Sequence, residues 1–325
     1  MDFNSILSIQ GEKEFEAKAL EVFSIQYRQN KVYRRFCSLL GRTEANVSSL
    51  QNIPFLPIDF FKSKTIISGE PSFEHVFTSS GTTGNTTSHH YIKDLSIYEK
   101  SFRTCFNEFY GPVSEYCILA LLPSYLEREG SSLIYMMDDL IQLSQHAESG
   151  FYLDDTAKLV NTLIALEASN KNVLLIGVSF ALLDLVEQNK LQLMNTIVME
   201  TGGMKGRRKE LIRRELHKLL SKGFGVEKIH SEYGMTELLS QAYSKGDGLF
   251  ECPPWMKIII RDTEDPLSSG YVNKTGGINV IDLANLNSCA FIATQDLGKA
   301  YPDGRFEVLG RFDHSDIRGC NLMVL

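Results

Sequence analysis

The chain has 325 residues, of which 43% are hydrophobic and 22% are charged, and its formal net charge is -7. This composition is typical of a globular protein with one large domain or two smaller ones. The negative charge argues against nucleic acid or an anionic membrane as a general partner, and the longest apolar run, residues 117–122, is too short to span a bilayer. We therefore expect no nucleic-acid partner and no stable membrane insertion.

The N-terminal region is predicted to be helical. Residues 1–10 lack a basic segment and a long apolar run, so we expect no signal peptide. Apolar residues recur at helical spacing through residues 11–40, which predicts two amphipathic helices. Two prolines within residues 53–58 favour extended backbone and indicate a boundary. We predict a helical cap at residues 1–52, an α/β core at 53–254, and a β subdomain with a C-terminal tail at 255–325.

Strands and helices alternate after this boundary. The predicted strands are residues 73–77, 116–122, 173–176, 196–199 and a further strand that begins within 228–231. The predicted helices are residues 94–109, 131–146, 154–168, 180–188 and 206–222. This alternation favours a parallel, doubly wound sheet. From residue 255 the strands are short and separated by turn residues, which indicates a smaller antiparallel β subdomain.

A loop rich in hydroxyl groups and glycine follows the first of these strands. Residues 78–87 read Thr-Ser-Ser-Gly-Thr-Thr-Gly-Asn-Thr-Thr. They offer uncrowded backbone N–H groups and hydroxyl donors, which suit a phosphate chain. The loop lacks the Gly-Lys-Ser/Thr ending of a Walker loop and the Gly-x-Gly-x-x-Gly pattern of dinucleotide folds. A flexible Ser/Gly linker is the alternative interpretation.

Later segments follow predicted strands, where open α/β sheets bind their ligands. Residues 201–206 offer a glycine backbone against which a flat base could lie, or they form a simple turn. Tyr233 offers a stacking face, and Glu237 offers a carboxylate that Mg²⁺ could use together with phosphate oxygens. Asp296 could accept from ribose hydroxyls, and Arg311 could donate to the same sugar or to phosphate.

The cysteines show no paired spacing and no Cys-x-x-Cys motif. They are Cys37, Cys105, Cys117, Cys252, Cys289 and Cys320. This pattern predicts reduced thiols and a cytoplasmic protein, and it argues against a disulfide framework or a zinc site.

The motifs, in this order, resemble those of the adenylate-forming (acyl-CoA synthetase-like) superfamily. The matching segments are residues 78–84, Tyr-Gly-Met-Thr-Glu at 233–237, Thr-x-Asp at 294–296 and Gly-Arg-x-Asp at 310–313. Within the superfamily, residues 54–62, 230–241 and 252–257 are most similar to the LuxE-like acyl-protein synthetases. The resemblance implies an α/β fold, in which a doubly wound mixed sheet is joined by a smaller antiparallel β subdomain.

This resemblance implies an enzyme, a ligase that uses ATP and Mg²⁺ in two steps. A carboxylate, implied to belong to a fatty acid, attacks the α-phosphate of ATP to give an acyl-adenylate and pyrophosphate. The acyl group then passes to a thiol and on to a partner protein such as a reductase.

The site residues are assigned by motif position. The phosphates would be held by Thr78, Ser79, Ser80, Gly81, Thr82, Thr83 and Gly84. The adenine would be flanked by Gly202, Gly203, Met204, Tyr233 and Gly234, and the ribose would be held by Asp296 and Arg311. Glu237 would ligate Mg²⁺ and, with Thr236, act in catalysis, while Phe180 and His230 would line the acyl pocket.

The chain departs from the superfamily pattern beyond residue 313. Most relatives continue into a mobile C-terminal lid domain that carries a catalytic lysine, whereas this sequence ends at Leu325. The resemblance therefore implies that the lid is absent, and Lys205 is our candidate for the missing cation. Cys320 matches, by position, the cysteine that LuxE-like enzymes acylate, with a small residue at the end of a strand as the alternative.

Other functions remain open at this point. Residues 177–181 resemble a nucleophile elbow. Ser179 could be the nucleophile of a serine hydrolase, with Asp282 or Asp296 and His314 completing the triad. A coenzyme A ligase of the phenylacetate type would share the same core. A nucleotide-binding subunit without turnover is a further alternative.

Overall fold

The computed structural model describes residues 2–79, 87–123, 130–202 and 211–312. Within these ranges the helices are α1 (Asn4–Leu7), α2 (Glu12–Gln29), α3 (Lys31–Leu39), α4 (Phe60–Ser63), α5 (Leu95–Tyr110), α6 (Ser132–Ser144), α7 (Thr156–Ala168), α8 (Ser179–Gln188) and α9 (Arg213–Phe224). None of these helices combines the length and the apolar character that crossing a bilayer requires.

The strands of the same ranges form three sheets. They are β1 (Leu56–Pro57), β2 (His75–Thr78), β3 (His89–Ile92), β4 (Cys117–Leu121), β5 (Gly150–Phe151), β6 (Val173–Val178), β7 (Thr196–Thr201), β8 (His230–Tyr233), β9 (Ala242–Ser244), β10 (Met256–Arg261), β11 (Ser269–Tyr271), β12 (Thr275–Asp282), β13 (Phe291–Ala300) and β14 (Phe306–Arg311).

The first sheet is doubly wound. Its strand order is β5-β4-β6-β7-β8-β9, in which β5 to β8 are parallel and β9 is antiparallel. The order reverses at β4, because the chain adds β5 on one side and β6 on the other. Every residue of β4 and β6 is buried, as expected for apolar strands that are covered on both faces. The predicted mixed α/β sheet is confirmed.

The second sheet contains every described strand from residue 256 onward. Its order is β1-β13-β12-β10-β11, with β14 also paired to β13. All of these pairs are antiparallel except β1–β13, which is parallel. The predicted antiparallel sheet therefore gains one strand from residues 56–57, far upstream in the chain. The domain boundaries at residues 52 and 254 remain a prediction.

Helices α2 and α3 pack against this second sheet through buried polar contacts. The Gln26 side chain donates to the Asn285 carbonyl at 2.7 Å and accepts from the Ala290 N–H at 3.0 Å. Asn30 donates to the Ser288 carbonyl at 3.0 Å. These contacts satisfy the backbone of the turn before β13, which would otherwise be buried without partners. The predicted amphipathic helices thus cover the sheet that carries β13.

A separate hairpin flanks the hydroxyl-rich loop. Strand β2 pairs with β3 in antiparallel fashion, and Thr78 lies opposite His89 next to the loop. Residues 80–86, between these strands, lie outside the described part of the chain. The predicted strand at 73–77 is observed at 75–78, and β3 was not predicted. The two strands fix both ends of the loop.

Candidate active site

The proposed base-binding segments lie side by side at one edge of the first sheet. In the parallel register, Val178 pairs with Thr201, and Thr201 pairs with Glu232. The carboxyl ends of β6, β7 and β8 therefore coincide, which brings together the segments that follow them. These segments contain Phe180 at the start of α8, Gly202 after β7, and Tyr233 and Gly234 at the end of β8. Gly202 has a φ of 67°, a backbone conformation that favours glycine.

Asp296 joins this edge to the second sheet. Tyr233 donates its hydroxyl to Asp296 Oδ2 at 2.9 Å, and Arg311 donates Nε–H to Asp296 Oδ1 at 3.2 Å. Burial and the Asp296 charge raise the pKa of Tyr233, so its hydroxyl stays protonated and donates. Asp296 is 7% exposed, whereas the Arg311 side chain is 81% exposed. The structure thus brings the three residues proposed for adenine and ribose into contact.

Arg261 supports Asp296 from within the second sheet. Its guanidinium donates to the Ile278 and Thr294 carbonyls at 2.7 and 2.6 Å, and to Asn279 Oδ1 at 2.9 Å. Burial lowers the pKa of Arg261, and the negative charge of Asp296 opposes that effect. A guanidinium remains protonated under these conditions. Arg261 therefore places a fixed positive charge near the proposed ribose ligand.

Glu237 lies beside the ends of the hydroxyl-rich loop. It is 5% exposed and hydrogen-bonded to Ser88. The Ser88 N–H in turn donates to Ser79 Oγ at 2.9 Å, and the Ser79 N–H donates to the Ser88 carbonyl at 3.1 Å. Burial raises the pKa of Glu237, and the Ser88 bond and the cations of Lys62 and Arg311 oppose the rise. The proposed phosphate loop and the proposed Mg²⁺ ligand are therefore neighbours.

The backbone of Thr236 and Glu237 is held by two buried side chains. His90 Nδ1 lies 2.8 Å from the Thr236 carbonyl oxygen, and Asn285 Nδ2 donates to the Glu237 carbonyl at 2.8 Å. Burial lowers the pKa of His90 to about 4, so the ring is neutral at neutral pH. Because a carbonyl only accepts, Nδ1 carries the ring proton. His90 and Asn285 thus position the proposed metal ligand.

A second polar cluster lies behind Gly202. Thr201 donates to Glu232, and burial together with the charge of Glu200 raises the pKa of Glu232 to about 7. Ser179 Oγ lies 3.1 Å from Glu200 Oε2 and 2.8 Å from the Gly202 carbonyl oxygen. Both of these partners accept hydrogen bonds and neither is a histidine. The contacts of Ser179 therefore hold the turn after β7, and His314, the predicted histidine of a hydrolase, lies outside the described residues.

His230 lies at the far end of β8 from this edge. At the usual strand rise, three residues separate it from Tyr233 by about 10 Å. His230 Nδ1 lies 3.1 Å from the Tyr110 hydroxyl. Burial, with the nearby cations Lys245 and Lys228, lowers the pKa of His230 to about 4. Its predicted place in an acyl pocket remains a proposal.

Several predicted site residues lie outside the described part of the chain. They are Ser80, Gly81, Thr82, Thr83, Gly84, Gly203, Met204, Lys205 and Cys320. The other five cysteines are described and carry free thiols, and burial raises the pKa of each of them, for example to about 12 at Cys37. These five thiols are protonated at neutral pH and are therefore poor nucleophiles.

The donor set of the site fits a magnesium nucleotide. Mg²⁺ in such sites takes one or two carboxylates and shares its remaining positions between phosphate oxygens and water, so the buried carboxylate of Glu237 suits it. Within the described ranges, no three His, Cys, Asp or Glu side chains are grouped so as to hold a metal by themselves.

Comparison with solved structures defines the class of the fold. The chain is similar to ATP-bound MatB from Rhodopseudomonas palustris, with a TM-score of 0.55 and 18% identity over 73% of this chain. It spans 47% of the length of that protein. It is also similar to an open conformation of 2-hydroxyisobutyryl-CoA ligase, with a TM-score of 0.67, 12% identity, and coverage of 93% of this chain and 75% of the other. The fold is that of the adenylate-forming ligases.

The sequence defines the family within that class. Residues 6–325 match the profile of the acyl-protein synthetase family LuxE, and the chain belongs to this family. It is 24% identical to the long-chain-fatty-acid–luciferin-component ligase of Vibrio harveyi, over 97% of this chain and 88% of that protein. The predicted resemblance, and the prediction of a ligase, are confirmed.

Four residues of the site were missed by sequence reasoning: Arg261, Ser88, His90 and Asn285. Arg261 ends the apolar run Ile258–Ile260 and could have been noticed as a charge in a buried strand. Ser88 and His90 lie just beyond the hydroxyl-rich loop, and their partners are about 150 residues further along the chain. No local pattern identifies such distant contacts.

Proposed function

We propose that this protein uses ATP to activate a fatty acid as an acyl-adenylate and then transfers the acyl group to its own Cys320. The observation that supports this most is the meeting of three separate segments at one sheet edge. The loop ends at Ser79 and Ser88 lie beside Glu237, and Tyr233 lies in contact with Asp296. These segments offer donors and acceptors that suit the parts of ATP. The loop ends and Glu237 suit a phosphate chain and a metal ion, and Asp296 and Tyr233 suit a sugar and a base.

Each segment has a proposed role in holding ATP. The hydroxyl-rich loop, with Thr78 and Ser79 at its described end, would hold the β- and γ-phosphates. Gly202 and the Tyr233 ring would flank the adenine, and Asp296 would accept from the ribose hydroxyls. Glu237 would ligate Mg²⁺, which when bound offsets the charge of the phosphates.

The first reaction exchanges one bond at phosphorus for another. A carboxylate oxygen of the fatty acid donates an electron pair to the α-phosphorus of ATP. The bond between that phosphorus and the oxygen bridging to the β-phosphate breaks, and pyrophosphate leaves with that electron pair. No proton is transferred, so positioning and the stabilisation of charge provide most of the catalysis. The hydrogen-bond donors that we propose to stabilise the charge on the phosphate oxygens are Thr236, Lys205 and Arg311.

The second reaction moves the acyl group to sulfur. The Cys320 thiolate attacks the acyl carbon, a thioester forms, and AMP leaves with the carboxylate oxygen that bound phosphorus. The five described thiols have raised pKa values and are buried or partly buried, which leaves Cys320 as our candidate. We further propose that the acyl group passes from Cys320 to a partner protein such as a reductase.

Cys320→Ala should separate the two reactions. We expect the variant to retain acid-dependent ATP–pyrophosphate exchange and to lose the radiolabelled, hydroxylamine-sensitive acyl group that the wild type acquires without coenzyme A. Cys252→Ala, at a partly buried thiol whose pKa is raised, serves as the matched control and should be acylated like the wild type. Equal labelling of Cys320→Ala and wild type would exclude Cys320 as the acceptor. Thioester formed only when coenzyme A is added would favour a coenzyme A ligase.

A further inference from the structure

Helix α4 lies between the proposed ribose segment and the proposed metal ligand. Strand β1, just before it, runs parallel to β13, and the Ile58 N–H donates to the Ala293 carbonyl at 3.0 Å. Further along the same two segments, Gln295 Nε2 donates to Asp59 Oδ2 at 2.6 Å. The start of α4 is thereby tied to the residue that precedes Asp296.

The other side of α4 contacts the segment that holds Glu237. The buried ring of Phe61 packs edge-on against His90, with 5.5 Å between the ring centroids. His90 is the side chain that lies 2.8 Å from the Thr236 carbonyl oxygen. Asp59 and Phe61 therefore fix α4 between the two halves of the site, and the residue that follows Phe61 is Lys62.

Lys62 is a cation that this arrangement places near the segment that holds Glu237. Its ammonium lies 2.7 Å from Asp59 Oδ1, and its side chain is 39% exposed. Its charge also acts on the buried carboxylate of Glu237. An exposed ion pair between residues three apart contributes little to stability. Lys62 can therefore leave Asp59 at small cost.

Arg311 is paired at a different part of the proposed site. Its Nε–H is engaged by Asp296 at 3.2 Å, and that contact belongs to the sugar end of the proposed site. Lys62, in contrast, has a flexible four-carbon side chain and three rotatable donors, which suit a phosphate that changes its geometry during the reaction.

We propose that Lys62 exchanges Asp59 for the phosphate oxygens of bound ATP and remains paired with the phosphate of the acyl-adenylate. This proposal rests on the proposed function and assigns a phosphate-contacting residue within it. When the carboxylate attacks phosphorus, Lys62 neither gives nor takes a proton. It stabilises the charge on the non-bridging oxygens while pyrophosphate leaves. Asp59 holds the ammonium near the site before ATP binds.

The test measures ATP binding separately from turnover. Isothermal titration calorimetry with MgATP and no acid gives the Kd for the wild type, Lys62→Met, Lys62→Arg and Lys64→Met, in the full-length chain. A hydrogen bond that involves a charged group corresponds to roughly a ten- to hundredfold change in affinity. We expect a loss of about that size for Lys62→Met, partial recovery for Lys62→Arg, and a Kd within about twofold of the wild type for Lys64→Met, an exposed lysine two residues away.

ATP–pyrophosphate exchange is then compared for the same proteins and for Lys205→Met. We expect Lys62→Met to lose exchange by at least the factor by which it loses ATP affinity. Unchanged ATP affinity and unchanged exchange in Lys62→Met would overturn the proposal, as would a loss of exchange in Lys205→Met alone. If the wild type binds ATP with the help of Lys62 but shows no exchange with any acid, the proposed function fails while the assignment of Lys62 stands.

Discussion

Glu237→Gln should lower acid-dependent ATP–pyrophosphate exchange by about a hundredfold or more while leaving the protein folded. Glutamine keeps the shape of the side chain and can still accept from Ser88, but it lacks the charge that a Mg²⁺ ligand requires. A preorganised charge in such a site is worth roughly two to three orders of magnitude in rate. The measurement is exchange at saturating acid and varied MgATP.

The stability of this variant separates a catalytic from a structural role. Because burial raises the pKa of Glu237, folding disfavours its charged form, so a neutral replacement should not lower the free energy of unfolding at neutral pH. Glu264→Gln, at an exposed position, is the control and should match the wild type in exchange and stability. Wild-type exchange in Glu237→Gln would remove this carboxylate from the mechanism.

Arg261→Met should lower the free energy of unfolding by about 3 to 5 kcal/mol, the usual effect of removing one partner from a buried charged network. The change removes the guanidinium donor from the Thr294 and Ile278 carbonyls and from Asn279 Oδ1, and it removes a positive charge near Asp296. The Ile278 carbonyl keeps the Thr294 hydroxyl as a donor. The sheet is built closely around this guanidinium. A Cβ atom on Gly277 would lie only 2.5 Å from Arg261 Cζ.

Urea denaturation followed by circular dichroism tests this expectation. Arg305→Met is the matched control, because Arg305 pairs with Asp303 at the surface and both side chains are about half exposed. An exposed pair of this kind contributes little, so the free energy of unfolding of the control should match that of the wild type. A similarly small effect for Arg261→Met would show that the buried guanidinium does not support the second sheet.

The regular helices and strands could be predicted because each is indicated by a pattern within its own residues. Apolar strands such as β6 and amphipathic helices such as α2 contain a periodic pattern within their own residues. Strand β1 escapes prediction because two residues, one of them Pro57, are too few to show a periodic pattern, and their pairing with β13 makes them a strand. Strand β3 escapes because two of its four residues are histidines, and the contacts of the buried His90 with Phe61 and Thr236 join residues that are distant in sequence.

The residues of the candidate site also fall into two groups, those that the sequence identifies and those that only the structure reveals. Glu237, Asp296 and Arg311 belong to short contiguous motifs, so the sequence alone identifies them, and the structure adds that Tyr233 and Arg311 share the carboxylate of Asp296. Arg261 and Lys62 lie outside the four superfamily motifs, and their relevance follows from partners distant in sequence. Tertiary contacts of this kind have no local signature.

ATP–pyrophosphate exchange with labelled pyrophosphate, run across a panel of fatty, aryl and amino acids, is the most direct test of the central claim. The reversible formation of an acyl-adenylate returns label to ATP only when a suitable carboxylate is present. We predict exchange that depends on both MgATP and a fatty acid, with little or none for amino acids. Absence of exchange with every acid, in wild-type protein that binds MgATP, would contradict the assignment of this site to carboxylate activation.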